Sequence, residues 1–334
     1  MKFRSLALLA TLLLGTAASA APLKVATVAP EGSGWMREMR AGAAAIKQRT
    51  DGRVELKFYP AGVMGNNAAV IRKIKLGQLQ GAAFTGAEAS AVYPDAPIYG
   101  LPFLFRDYAE IDHVRATVDP LLRAGFAAKG MVAAGISGGG FAYLMGTRAI
   151  RTHEELRDAK VWTPQSDRIS EVAFEAGGVS AIPLPLTDVY PGLQTGLIDT
   201  VANTFAGAIF FQWHTKVKHV VDLPLTYVVG YLLLDEKALA RASEPDREIV
   251  LEEVQGAFDR IDQASRREND AARATLAKLG VEFAVPTPVE ATRWREIGDK
   301  AERELITAGE FTPATLNAIR SSLAALRAGQ GTAR

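Results

Sequence analysis

HEELRDAKVWTPQSD at residues 153–167, with GGVSAIPLPLTDVYPGLQTGLIDTVANT at residues 177–204, reads in order as a helical turn, a short strand entering a loop, an apolar connection, a helix opened by Asp188 and a strand ending at Asn203. The same alternation extends upstream. LKVAT at 23–27 is a strand pattern broken by PEGSG before an amphipathic helix over 35–50, and Asp51-Gly52 turns that helix into RVELKFY. A second helix over 66–76 leads through Gly77 to the strand pattern QGAAFTG, and a third starts at about Asp107. Strands alternating with helices of this length predict three-layer α/β architecture with mainly parallel sheets. Downstream, MVAAGIS enters Gly138-Gly139-Gly140, which lacks the lysine and hydroxyl of a phosphate loop and reads as a flexible crossing between domains. LTYVVGYLLLD is a further strand, and from Pro245 towards Leu279 runs a long helical pattern with Ile249, Val250, Val254, Phe258 and Ile261 on its apolar side.

Composition narrows the function. Lys2 and Arg4, the apolar run 6–14 and Ala18-Ser19-Ala20 form a secretory signal with cleavage after Ala20, so the mature chain is expected in the periplasm. About 310 mature residues are enough for two domains with separate cores, and a binding cleft between them follows naturally. The chain has no cysteine, which removes disulfides, thiol catalysis and cysteine metal sites. His113, His153, His214 and His219 show no metal-ligand spacing, and no cofactor motif is present. With 38 Lys and Arg against 37 Asp and Glu, nothing favours nucleic acid as a partner.

Leu156 and Pro164 bound a phrase similar to D-L-K-G-K-I-R-V-P, and residues 188–203 match E-L-Y-x-A-L-Q-T-G-x-V-D-G-x-x-N. With YGLPFLF at 99–105 and TDGR at 50–53, these phrases resemble the solute receptors of tripartite ATP-independent periplasmic (TRAP) transporters, the DctP-type family, across essentially the whole mature chain. The resemblance implies two three-layer α/β lobes of the periplasmic binding protein kind, with a ligand cleft between them and a long strut helix crossing both. The expected boundaries are a signal peptide at 1–20, lobe I at 21–143 plus about 230–268, lobe II at 144–229 plus about 269–327, and a flexible tail at 328–334. It also implies a small-molecule solute and the small and large membrane subunits of a TRAP permease as partners. A tetratricopeptide-repeat periplasmic protein is a further partner the resemblance allows, since the chain looks closer to receptors encoded beside such proteins than to the dicarboxylate or sialic-acid receptors.

Trp162 stands where the family carries the arginine that clamps a ligand carboxylate. At the second arginine position the match puts Phe141 or Ala142, and Arg148 corresponds to a different basic position. Thr200 and Thr204 replace a glycine and a proline of the family pattern. An indole has one N–H and a broad apolar face, so it cannot make the paired charged hydrogen bonds of a guanidinium. Aromatic surface is therefore the expected ligand contact: Trp162, Phe141, Trp35 and Phe205, with Phe84, Leu186 and Trp213 behind them. Asn203 matches a ligand-bonding asparagine, and Gln165, Ser166 and Asp167 follow Trp162 on the same loop. Such a lining suits a neutral or hydrophobic molecule, held by area burial at about 25 cal/mol per Å². The alternatives are an amine or quaternary cation on aromatic faces beside Glu31 or Glu88, or an organic acid held by a relocated cation. As competing functions, a secreted enzyme lacks G-x-S-x-G and ligand-spaced histidines, while a sensor or carrier without a permease has the same sequence signature.

Overall fold

The computed structural model describes residues 22–331, and the expected signal peptide lies outside the described residues. The chain opens as β1 (Leu23–Ala26), α1 (Gly34–Arg49), β2 (Leu56–Tyr59), α2 (Asn67–Lys75), β3 (Gly81–Thr85), α3 (Gly86–Ala89) and α4 (Tyr108–Ala127). It then crosses on β4 (Met131–Gly146) into α5 (His153–Arg157), β5 (Trp162–Pro164), α6 (Arg168–Ala176), β6 (Ile182–Leu184), α7 (Val189–Thr195), β7 (Thr200–Asn203), α8 (Phe205–Phe210) and β8 (His219–Val221). The return strand is β9 (Thr226–Asp235), followed by α9 (Glu236–Leu239), α10 (Glu244–Lys278), β10 (Glu282–Ala284), α11 (Pro288–Thr307) and α12 (Pro313–Gly331).

The main sheet runs β10-β8-β4-β9-β3-β1-β2, with β7 also on β4. Its parallel part is narrower than the sequence suggests. β2, β1 and β3 are parallel, but β9 is antiparallel to both β3 and β4, and β4 is antiparallel to β7 and β8. The reason is that two strands traverse the molecule in opposite directions, and sequence periodicity carries no strand direction. Along β4, Met131 to Ala142 pair with β9, whereas Tyr143 to Gly146 pair with β7. One strand thus serves both lobes.

The three glycines lie inside β4 rather than in a loose linker. A bulge falls between Gly138 and Gly140, and Gly140 has φ 108°, a conformation open chiefly to glycine. A Cβ there would come within 2.5 Å of Asn269 Nδ2, because α10 lies directly on the strand. Asn269 holds this crossing: its Nδ2 donates to the Gly139 carbonyl at 2.8 Å, and its Oδ1 accepts from the Ala206 N–H at 3.1 Å.

The 35-residue α10 spans about 52 Å at 1.5 Å per residue, long enough to serve two cores. Its first half buries Val250, Val254 and Phe258 with Met36, Met39 and Ile46 of α1; its second half buries Ala272 and Leu276 with Trp213 and Val217. On the other sheet face, α4 supplies Val114, Val118, Leu122 and Phe126, and α12 supplies Leu316, Ile319 and Leu323. Each such side chain contributes roughly 1.5–3 kcal/mol of burial. α12 therefore packs with the first lobe's core, not with the second lobe to which the sequence reading gives residues 269–327, and it continues helical past Arg327, where that reading starts a tail. Among the described residues no helix is long and apolar enough to cross a membrane.

Candidate ligand-binding site

Between the lobes lies a cavity of about 440 Å³. Its first wall comes from the starts of α2 and α3, with Asn66, Asn67, Thr85 and Glu88, plus Val28 and Ile71. The opposite wall comes from β5 and the loop behind it, with Trp162, Gln165, Ser166 and Asp167, then Leu186, Asn203, Thr204 and Phe211. Ile169 and Val172 of α6 pack into the first lobe's core cluster, so the lobes meet beside the cavity.

Local chemistry sets this geometry. The loop after β5 turns sharply: the Asp167 N–H bonds the Pro164 carbonyl at 3.0 Å, and Ser166 takes a left-handed φ of 68°. Asp167 then caps α6, accepting from Ser170 N at 3.4 Å and from Ser170 Oγ at 2.5 Å. Thr204, in place of the family proline, caps α8 through Gly207 N at 2.9 Å. Thr200, in place of glycine, is buried and donates to Asp199 Oδ1 at 2.9 Å. Both threonines are thus accommodated without altering the strand–helix order.

Trp162 is 4 % exposed and sits at the cavity floor. Its indole N–H donates to the Leu184 carbonyl at 3.0 Å, and its ring meets Trp213 edge-on at 5.4 Å. The single donor of the indole is consumed inside the second lobe, which leaves the ligand an apolar surface. Trp213 is fully buried and stacks on Phe211, which lines the cavity. Asn203 Oδ1 accepts from Thr204 N at 2.8 Å, while its Nδ2 bonds no partner among the described residues.

Of the residues expected from sequence, Trp162, Asn203, Leu186 and Gln165 line the cavity. Ser166, Asp167 and Glu88 line it as well; Trp213, fully buried against Phe211, and five others do not. Phe141 packs edge-on against Tyr108 and Tyr227, at 5.3 and 5.5 Å, and leaves the wall to Ala142 and Tyr227. Trp35 is wedged between Phe58 and Phe258 over the α1 side of the sheet. Phe205 stacks on Tyr143 at 4.2 Å, with the Arg273 guanidinium over its other contacts. Glu31 forms an exposed bidentate pair with Arg40. Phe84 is buried in the first lobe's core and borders only a side pocket. Each has a satisfied packing or ion-pair partner elsewhere, which a sequence pattern does not reveal.

Among the described residues no lysine, arginine or histidine lines the cavity. Arg148 is turned away, donating to the Glu155 carbonyl at 3.1 Å and lying 3.7 Å from Asp199. The cavity's ionisable groups include the carboxyls of Glu88 and Asp167, and burial pushes both above the usual carboxylate range. Glu88 Oε2 accepts from the Thr85 N–H at 2.9 Å and lies 3.1 Å from its hydroxyl, closing a capping box on α3. Sequence reasoning missed Asn67, Tyr227, Phe211 and Ile169 as lining residues, because they come from segments far apart in the chain. Only the Asn66-Asn67 pair, a helix-cap signal, marks its segment in advance.

A two-lobed α/β protein with a buried cleft, a strand common to both lobes and a strut helix along them is a solute-binding receptor by architecture. The chain belongs to family 7 of the bacterial extracellular solute-binding proteins, the DctP family, whose model matches residues 25–307. It is 27 % identical over 239 residues, 66 % of this chain and 72 % of the relative, to a 2,3-diketo-L-gulonate-binding periplasmic protein of Escherichia coli K12. A C4-dicarboxylate-binding periplasmic protein of Rhodobacter capsulatus is 23 % identical, covering 74 % of this chain and 75 % of its own length. The fold matches a TRAP periplasmic solute-binding protein of Desulfovibrio salexigens holding orotic acid, with a TM-score of 0.83, 20 % identity, and coverage of 91 % and 98 % of the two chains. A sugar acid-binding protein of Advenella mimigardefordensis in complex with galactonate gives a TM-score of 0.84, 18 % identity, and coverage of 91 % and 98 %.

Proposed function

We propose that this receptor works in the periplasm, captures a neutral, largely apolar small molecule between its lobes, and hands it to the two membrane subunits of a TRAP permease. The observation that carries the ligand class is the absence, among the described residues, of any basic side chain from the cavity lining, with Trp162 where the family resemblance implies the carboxylate-clamping arginine. A carboxylate brought there would lose its hydration without gaining a charged partner and would face Glu88 and Asp167, at a cost of several kcal/mol. The relatives named above bind acids, so this chain departs from them in ligand while keeping their architecture. Trp162, Leu186, Phe211 and Ile169 supply the apolar contact, and Asn203 and Gln165 supply neutral hydrogen-bonding groups. Closure of the lobes on the ligand provides the coupling, because the closed form makes contacts the open form does not. No catalytic role is assigned to the site, and a tetratricopeptide-repeat protein remains a partner to be tested by pull-down.

Native mass spectrometry of the protein purified from periplasm, followed by denaturation, tests the ligand class. An uncharged molecule released from the wild type and missing from Trp162→Ala is the expected result. A released carboxylate overturns it.

A further inference from the structure

The loop that follows residues 98–100 sends its side chains into two different cores. Leu101 and Phe105 are buried in the first lobe's core, whereas Phe103 between them packs against the second lobe's cluster, which holds Leu144, Val161 and Trp294. Backbone conformation makes the switch. Phe103 has φ 53°, a left-handed setting that a bulky residue holds only where its surroundings impose it. Two bonds impose it here: Thr226 Oγ1 donates to the Gly100 carbonyl at 2.6 Å, and the Phe103 N–H donates to the Leu225 carbonyl at 2.7 Å, so the loop is stitched to the start of β9. The Leu225 N–H in turn bonds the Ala142 carbonyl of β4 at 2.9 Å, which places Phe103 where both long strands pass between the lobes.

The ring lies on an equally specific surface. Trp294, Gly298, Ala301 and Leu305 are the buried residues of α11, and their spacing puts them on one helix face. Trp294 belongs to the second lobe's cluster, and Ala301 and Leu305 to the first lobe's, so α11 changes lobes at Gly298. A Cβ on Gly298 would stand 2.7 Å from Phe103 Cδ2 and 3.1 Å from Pro102 Cβ. The Phe103 ring therefore rests on bare helix backbone at the turn where the two cores meet. Phe174 and Ala202, which line the cavity, pack on the same cluster as Phe103.

We infer that Phe103 is the bearing of lobe closure, a positioning residue whose ring turns on Gly298 as the cleft opens and closes and which fixes the angle between the lobes. A close-packed interior transmits strain rather than absorbing it. A ring wedged between the start of β9 and α11 blocks the sideways tilts that two crossing strands alone would permit, and leaves the opening motion as the free one. The role goes beyond the choice of ligand and holds for any solute.

The chain has no cysteine, so an introduced pair carries spin labels without background. Val63→Cys and Leu197→Cys use exposed positions on the first and second lobes, and double electron–electron resonance reads their separation in the ligand-free protein. Phe103→Gly suits the left-handed backbone and removes the ring. It should broaden the distance distribution, with the far-ultraviolet circular dichroism intact. Gly298→Ala keeps the ring but displaces it, and should shift the mean distance. A distribution unaltered in Phe103→Gly, even with a lowered melting temperature, shows a ring that only packs and overturns the proposal. An unshifted mean in Gly298→Ala overturns it as well, and decides alone if Phe103→Gly does not fold.

Discussion

The Trp162 indole N–H bonds the Leu184 carbonyl across 3.0 Å, joining β5 to β6 from within the second lobe. Trp162 is therefore tied into its own lobe by its only polar side-chain atom, and what remains to line the cavity is the ring. Two different losses can be separated by mutation. Trp162→Ala should destabilise the protein by about 3–5 kcal/mol in urea unfolding, since it opens a void beside Trp213. Trp162→Phe keeps most of the ring but removes one of the two donors to the Leu184 carbonyl, which the Gln165 N–H still bonds at 3.2 Å, and should cost about 1 kcal/mol.

Ligand binding should be insensitive to ionic strength. With no lysine, arginine or histidine among the described residues on the cavity wall, raising salt has no ion pair to screen in the site. Calorimetric titration of the released ligand at low and high salt should give the same Kd within about twofold, whereas a charge-clamped anion would weaken steadily.

Asn269 should be a stability and closure residue although it does not itself line the cavity. It ties the Gly139 carbonyl in β4 to the Ala206 N–H at the start of α8. Asn269→Ala strands both groups in the buried crossing and should cost about 2–4 kcal/mol, while Gly140→Ala, strained at φ 108° and crowded by the same side chain, should cost at least about 2 kcal/mol. Thermal unfolding of the two single variants and the double variant checks the coupling, which should be clearly non-additive.

Acidification should affect two sets of carboxyls in opposite directions. Burial raises the pKa of Glu88 and Asp167 in the folded protein. A raised folded pKa contributes stability that is fully present below the unfolded value and is lost as pH rises through the folded one. Glu88→Gln should therefore be more stable than wild type at neutral pH, with the difference shrinking towards about pH 4, where the wild-type carboxyl is protonated. Glu110 behaves in reverse: its burial pushes upward, but the Arg327 guanidinium at 2.7 and 2.8 Å outweighs this and holds it below the usual range. Its contribution is present above the unfolded value and is lost as pH falls through the lowered folded one. Melting temperature against pH for wild type, Glu88→Gln and Glu110→Gln reads both effects.

Arg327→Ala should loosen α12. The Arg327 guanidinium joins α12 to Glu110 and to the Leu104 carbonyl, and Glu110 is almost wholly buried. Removing it leaves the buried carboxylate with only the Arg106 N–H at 2.9 Å and the Arg106 guanidinium at 3.9 Å, at a cost of about 1–3 kcal/mol. Hydrogen exchange should rise first in α12 and in the facing side of α4.

Much of this protein was legible in one dimension. The apolar spacing of Val250, Val254 and Phe258 gave the strut helix nearly to its ends, and Asp51-Gly52 and Asp107 marked a turn and a helix start where they occur. Trp162 and Asn203 were found because each sits in a phrase whose local order fixes its position relative to the cleft. Phe141, Trp35 and Phe205 were misplaced for one shared reason: an aromatic ring near a cleft loop finds other rings first, and Tyr227, Phe58 and Tyr143 come from strands remote in sequence.

The amino-acid sequence by itself determined the class, an α/β receptor chain with Trp162 where the family resemblance implies a clamping arginine, because periodicity, caps and motif order are local properties of the chain. Only the tertiary structure decided what that replacement leaves behind. Whether a cation from elsewhere fills the gap, and which rings face the cavity, depend on contacts between segments tens to hundreds of residues apart, and those are set by how the lobes pack.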